Sequence, residues 1–174
     1  MANSYSSESA QEHRRQGPQS VRCAVLTVSD TRNLDDDKSG QTIVELLQMA
    51  GHKIADRALV PDEPALVTDQ VRNFSQNTDV DAILVTGGTG IAARDQTPDA
   101  MARLLTKELP GYGELLRMLS YQEIGAAAML SRAMGGLVEQ TVVLTMPGST
   151  AAVRLAMEKI ILPELSHLVL LAKS

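Results

Sequence analysis

Apolar residues in this chain fall either in short unbroken runs or in longer stretches at helical spacing. The runs Arg22–Val28, Ala82–Thr86 and Thr141–Met146 have the continuous pattern of strands covered on both faces. Lys53–Val60 is predicted as a further strand. Between these runs the period changes. Ile43, Leu46, Leu47 and Ala50 recur as on one helix face, and Gly51 follows as a stop. Pro64–Gln76 carries Leu66, Val67, Val71 and Phe74 on the same period. Thr97-Pro98 predicts another helix start, with Thr97 as N-cap and Pro98 in the first helical position. Met101, Leu104 and Leu105 form its apolar stripe.

Beyond Pro110-Gly111 the pattern weakens. Glu114–Glu123 is predicted as a helix with Leu115, Met118 and Leu119 inward, and Gly135-Gly136 as a turn before the last strand. A long helical region, interrupted or reset near Pro163, finishes the chain. Strands alternating with helices predict an α/β domain: a mostly parallel sheet with helices on both faces. Ligands of such sheets bind outside the carboxyl ends of the strands. Here those ends are Ser29-Asp30, Pro61-Asp62, Gly87 to Asp95 and Pro147-Gly148-Ser149, which the topology would gather on one rim.

With 174 residues, one domain at 21–174 behind a disordered polar tail at 1–20 is expected. Phe74, Tyr5, Tyr112 and Tyr121 are the only aromatics, so the core must be aliphatic. A net charge of −5 without a basic stripe argues against a nucleic-acid surface. No stretch approaches the roughly 18 apolar residues of a membrane span. The lone Cys23 sits in an apolar run and fits a reducing, cytoplasmic compartment. His13, His52 and His167 lack the spacing of a zinc site.

The chemistry concentrates in Gly87-Gly88-Thr89-Gly90 and the residues after it. Glycines at a strand end let backbone N–H groups approach phosphate oxygens. The first strand lacks G-x-G-x-x-G and no Gly-Lys-Ser/Thr follows, so neither a dinucleotide fold nor a Walker loop is indicated. Asp95 is placed to hold a divalent cation beside such phosphates. Asp62 precedes a helix and its spacing reads first as a cap of that helix, a role compatible with holding a metal if one carboxylate oxygen serves each. Glu114 beside Arg117 reads as an i,i+3 pair, Ser131-Arg132 as a loop pair, and Asp35 to Asp37 as a solvated acidic run.

Taken in order, Val28-Ser29-Asp30-Thr31, Asp37-Lys38-Ser39-Gly40, Pro61-Asp62-Glu63, Gly87-Gly88-Thr89-Gly90, Arg94-Asp95-x-Thr97-Pro98-Asp99, Pro110-Gly111-x-Gly113-Glu114, Leu130-Ser131-Arg132 and Met146-Pro147-Gly148 resemble the molybdopterin-binding domain of molybdenum cofactor biosynthesis proteins. The stretch Glu114 to Gly125 and the Met-Pro-Gly-Ser ending resemble the B branch (MoaB) more than the A branch (MogA). The resemblance implies a three-layer, doubly wound α/β fold, assembly into homotrimers or homohexamers, and molybdopterin as ligand. In active members it implies adenylylation of molybdopterin by ATP with Mg²⁺. Its two functional aspartates fall on Asp62 and Asp95, as catalytic and metal-holding residues, and its serine on Ser131. Substrate contacts are then expected from Ser29, Asp30, Gly87, Gly88, Thr89, Gly90, Thr97, Pro98, Glu114, Ser131, Arg132, Pro147, Gly148 and Ser149. The alternative is a non-catalytic molybdopterin-binding or scaffolding oligomer of the same pathway.

Overall fold

The computed structural model describes residues 16–174, so most of the expected tail lies outside the described residues. Strands β1 (Arg22–Val28), β2 (Lys53–Val60), β3 (Ala82–Thr86), β4 (Lys107–Glu108), β5 (Gly135–Val138) and β6 (Thr141–Met146) form one mixed sheet in the order β2-β1-β3-β6-β5-β4. The first four in that order run parallel. At the other edge β5 and β4 run antiparallel. Helices α1 (Lys38–Met49), α2 (Pro64–Gln76), α3 (Thr97–Leu104), α4 (Pro110–Ile124), α5 (Thr150–Ala156) and α6 (Leu162–Ala172) cover both faces.

The period-2 geometry of β1 explains the two layers of core. Cys23 and Val25 point to one face, where Ile43 and Leu47 of α1, Leu116 of α4 and Leu165 of α6 pack. Ala24, Leu26 and Val28 point to the other, against Val67, Val71 and Phe74 of α2 and Met101 of α3. Both faces of the sheet are therefore dry along the central strands β1, β3 and β6, as the unbroken apolar runs require, while the edge strands β2 and β4 are partly or fully exposed. No helix among the described residues is long and apolar enough to cross a membrane.

Three readings of the chain are corrected. Gly135-Gly136 is not a turn: it opens β5, and the turn falls at Glu139, which has φ +54°. A Cβ on Gly136 would lie 2.3 Å from the Lys107 carbonyl oxygen, so glycine here serves the close approach of β4. Leu115 and Met118 face outward, at 48% and 53% exposure. The helix begins at Pro110, and Tyr112, Leu116 and Ser120, at spacing four, form the inward stripe instead. The Tyr112 hydroxyl sets this phase by donating to the Thr145 carbonyl at 2.9 Å inside the core. Asp37, read as solvated, is buried: it caps α1 through the Gly40 N–H and pairs with Arg57 at 3.1 Å. Near Pro163 the last helix does change, through a wider π turn over Met157–Ile161 that precedes the residue lacking an N–H.

Candidate functional site

The carboxyl ends of β1, β3 and β6 meet where the loop Gly87–Gly90 passes under Pro147-Gly148. The Gly87 N–H donates to the Met146 carbonyl at 3.0 Å and the Thr86 hydroxyl to the Pro147 carbonyl at 3.1 Å. Gly87 has φ +105°, and a Cβ on it would sit 2.1 Å from the Val28 carbonyl oxygen, so only glycine lets the loop leave the sheet this close to β1. Gly88 follows with φ +63°. Beyond it, the N–H groups of Gly88, Thr89 and Gly90 donate to no acceptor among the described residues. Three free amides in a row at a strand end are a source of partial positive charge.

Two aspartates flank this array. A Cβ built on Gly88 would meet Oδ2 of Asp62 at 2.6 Å, and one on Gly90 would meet Oδ2 of Asp95 at 2.6 Å. Asp62 does not cap α2: the cap position is Glu63, which makes no side-chain cap bond. Its Oδ1 instead accepts the Gln96 N–H at 3.3 Å, and its own N–H donates to Asp30 at 3.0 Å. Asp95 accepts the Ala92 N–H at 2.9 Å, closing the turn that carries it. Burial raises the pKa of Asp62 and the negative charge of Asp95 raises it further, against the Gln96 bond that lowers it. Two carboxylates close enough to repel are a resting cost that a cation or a proton would remove.

Arg132 fastens the loop. Its backbone N–H donates to the Thr89 carbonyl at 2.8 Å, Nε to the Gly90 carbonyl at 2.8 Å, and Nη2 to the Asp95 carbonyl. Nη1 pairs with Asp99 at 3.0 Å. Its charge is thus spent within the protein. Arg94 pairs with Asp30. Ser131 and Ser149 accept N–H bonds from Ala133 and Ala152, which leaves each hydroxyl proton free to donate.

A cavity of about 400 Å³ opens here, lined by Val28, Gly87–Gly90, Asp95, Ser131 and Pro147–Ser149 from the expected rim. That volume suits a small ligand. Ser120, Ile124, Ala127, Ala128, Leu130 and Ala152 complete its wall. The topology thus gathers most of the sequence-predicted positions around one space. Asp62 adjoins it behind Gly88. Ser29, whose hydroxyl accepts the Thr31 and Arg32 N–H groups, and Asp30 stand outside that lining, as do Thr97, Pro98 and Arg132. Glu114 is exposed on α4, and Arg117, expected to pair with it, turns to the Ala133 carbonyl at 3.0 Å. A larger cavity of about 480 Å³ lies beside Thr141 and Lys173 and holds none of the predicted residues.

A family model described as "Probable molybdopterin binding domain" matches residues 24–167. Molybdenum cofactor biosynthesis protein B of Bacillus cereus is 51% identical over 161 residues, covering 92% of this chain and 95% of that protein. The crystal structure of a molybdenum cofactor biosynthesis protein B superposes with a TM-score of 0.88 at 50% identity, over 91% of this chain and 99% of the other. The chain belongs to the MoaB family of molybdenum cofactor biosynthesis proteins. The tungsten cofactor synthesizing protein MoaB from Pyrococcus furiosus shares the fold at a TM-score of 0.79 and 34% identity, covering 90% of this chain and 99% of that one.

Within this MoaB-family domain, three features escape sequence reasoning. Thr97 is not the cap of α3: the cap position is Gln96, and the buried Thr97 hydroxyl has no hydrogen-bond partner. Ser39 and Arg32 donate to the Gly148 carbonyl at 2.7 and 3.3 Å, so α1 and the first loop fix the β6 end of the site. Ser39 belongs to a motif visible in the sequence, but its contact with Gly148 spans 109 positions and carries no local signal. The α4 wall depends on a helix phase set by Tyr112, and the apolar spacing misleads there.

Proposed function

We propose that this molybdenum cofactor biosynthesis protein binds molybdopterin and adenylylates it with ATP and Mg²⁺. The observation that carries the reading is the row of free N–H groups at Gly88, Thr89 and Gly90 with Asp62 and Asp95 on either side. In the proposed reaction a terminal phosphate oxygen of molybdopterin forms a bond to the α-phosphorus of ATP. The bond from that phosphorus to the bridging oxygen breaks, and pyrophosphate leaves with the electron pair. The products are adenylylated molybdopterin and pyrophosphate.

The donor set fits magnesium only in company with phosphate. Among the described residues no group of three His, Cys, Asp or Glu side chains converges to hold a metal ion. Mg²⁺ takes one or two carboxylates and completes its shell with phosphate and water. Asp62 and Asp95 would hold it, and it would supply neutralisation of the phosphate charge. The chain itself supplies position. The Gly88–Gly90 amides bind phosphate oxygens, Ser131 and Ser149 donate hydroxyl protons, and Arg132 keeps the loop from collapsing toward α3.

One observation favours a second reading, a molybdopterin carrier without transferase activity. The cavity lining contains no lysine or arginine, and Arg132 and Arg32, which bond to its Gly90 and Gly148 carbonyls, are already engaged. Pyrophosphate release from purified protein given molybdopterin, ATP and Mg²⁺ separates the two. Release that falls severely in Asp62→Asn and Asp95→Asn, with molybdopterin binding retained, supports the transferase. Binding without release supports the carrier.

Association into a homotrimer or homohexamer in the cytoplasm belongs to the same proposal. Ile161, Leu165 and Val169 near the C-terminus are buried in the chain's own core. The support comes from Leu115, Met118, Tyr121, Ile124 and Met129, each exposed on α4 or the 3₁₀ segment Gly125–Leu130 after it.

A further inference from the structure

A hydroxyl with no acceptor and a carboxylate oxygen with no donor among the described residues border the same gap. Thr97 is fully buried, and its Oγ1 makes no hydrogen bond. Buried polar atoms without partners are rare, and a valine would fill the same space without the penalty. A Cβ on Gly88 would lie 2.4 Å from Thr97 Oγ1 and 2.6 Å from Asp62 Oδ2, so both oxygens border the one gap that glycine leaves open. Asp62 uses Oδ1 for the Gln96 N–H, while Oδ2 accepts nothing from the described residues. The backbone already draws the two residues together: the Thr97 N–H donates to the Gly88 carbonyl at 3.2 Å, and the neighbouring Gln96 N–H holds Asp62.

We infer that Thr97 is a positioning residue for Asp62, its hydroxyl donating to Oδ2 when the carboxylate turns to hold a cation beside the Gly88 loop. The inference rests on the reading of Asp62 as a metal-holding carboxylate. Thr97 is sealed from solvent and touches no ligand itself. It acts through Asp62, limiting the orientations the carboxylate samples once loaded. A hydroxyl unpaired at rest and paired in the loaded state lowers resting stability and favours the loaded geometry.

The test compares Thr97→Val, which keeps shape and loses the hydroxyl, with Thr97→Ser, which keeps the hydroxyl. Two readouts are used on the full chain: the melting temperature without ligand, and the affinity for manganese in the presence of ATP, measured by calorimetry. Thr97→Val is expected to melt no lower than the parent and up to about 2–4 °C higher, and to bind manganese with ATP about tenfold more weakly. Thr97→Ser is expected to bind like the parent. A Thr97→Val protein that binds as tightly as the parent overturns the inference, as does one that melts lower. Equal loss of affinity in both variants overturns it too, because the methyl group would then be what matters. A parent that takes up no manganese with ATP overturns the underlying reading of Asp62, and this inference with it.

Discussion

Asp62 and Gln96 stand 34 positions apart and are joined by one hydrogen bond, from the Gln96 N–H to the Asp62 Oδ1 at 3.3 Å. That bond ties the loop after β2 to the start of α3 and turns the carboxylate toward Gly88 instead of toward the helix it precedes. The carboxyl group is held there at a cost. Burial and the charge of Asp95 raise its pKa. A carboxyl whose folded pKa is raised adds stability below its unfolded pKa and loses that contribution as pH rises through the folded one. Near neutral pH Asp62 therefore opposes folding. Asp62→Asn is expected to raise the melting temperature of the ligand-free protein, most clearly at pH 7 to 8, while weakening nucleotide binding with divalent metal. Scanning calorimetry checks the first outcome, and a lower melting temperature refutes it.

Gly88→Ala should damage both fold and site. The new methyl would press between Thr97 Oγ1 at 2.4 Å and Asp62 Oδ2 at 2.6 Å, at a φ of +63°. The expected loss is about 1–3 kcal/mol from the backbone conformation alone, read as a lower midpoint in urea. An unchanged midpoint would show that the gap closes without cost.

At the far end of the sheet, Asp81 clamps the termini of the domain. It accepts two side-chain bonds from Arg22, at 3.0 and 2.8 Å, and pairs with Lys173 just beyond α6. Burial pushes its pKa up, but the bonds from Arg22 and Lys173 outweigh that and hold it well below the usual carboxylate range. Its contribution is thus present above the unfolded pKa of about 3.9 and is lost as pH falls toward the folded one. Asp81→Asn is expected to cost about 2–3 kcal/mol at pH 7. The gap between parent and variant should shrink progressively in denaturant titrations below pH 4.

His52 gives a second, separable pH effect. Its Nδ1 accepts the Val21 N–H at 3.2 Å, which requires that nitrogen to be unprotonated, and burial lowers its pKa. Stability from the neutral ring is complete above the unfolded pKa of about 6.5 and declines as pH drops toward the folded value. Between pH 8 and pH 5 the melting temperature should therefore fall more in the parent than in His52→Gln, whose amide does not titrate. Parallel curves would remove His52 from the pH response.

The exposed apolar strip on α4 predicts the state of association. Met118 and Tyr121 are 53% and 63% exposed, and the inward stripe of the same helix is already filled by Tyr112 and Leu116. Met118→Lys with Tyr121→Lys is expected to shift sedimentation toward monomer at micromolar concentration with secondary structure unchanged. A parent that sediments as a monomer would end this prediction.

What the amino-acid order determined by itself is the local part of the molecule. Three of the four parallel strands, β1, β3 and β6, are legible because a strand covered on both faces is apolar along its length, and that leaves a mark in consecutive residues; the edge strand β2, with Lys53, Asp56 and Arg57, carries a weaker one. The glycine run, Asp62 and Asp95 are legible for a related reason: strand ends in such a sheet converge, so their order along the chain implies their meeting. The tertiary structure alone decided the rest. Whether Asp62 caps α2 or faces Gly88 depends on the Gln96 N–H arriving from another loop. The phase of α4 depends on a Tyr112 hydroxyl reaching Thr145 across 33 positions. Gly136 is a strand residue because Lys107 comes close enough to exclude a side chain. Each of these outcomes is set by a contact between segments distant in sequence, and the residues on either side of the position carry no trace of it.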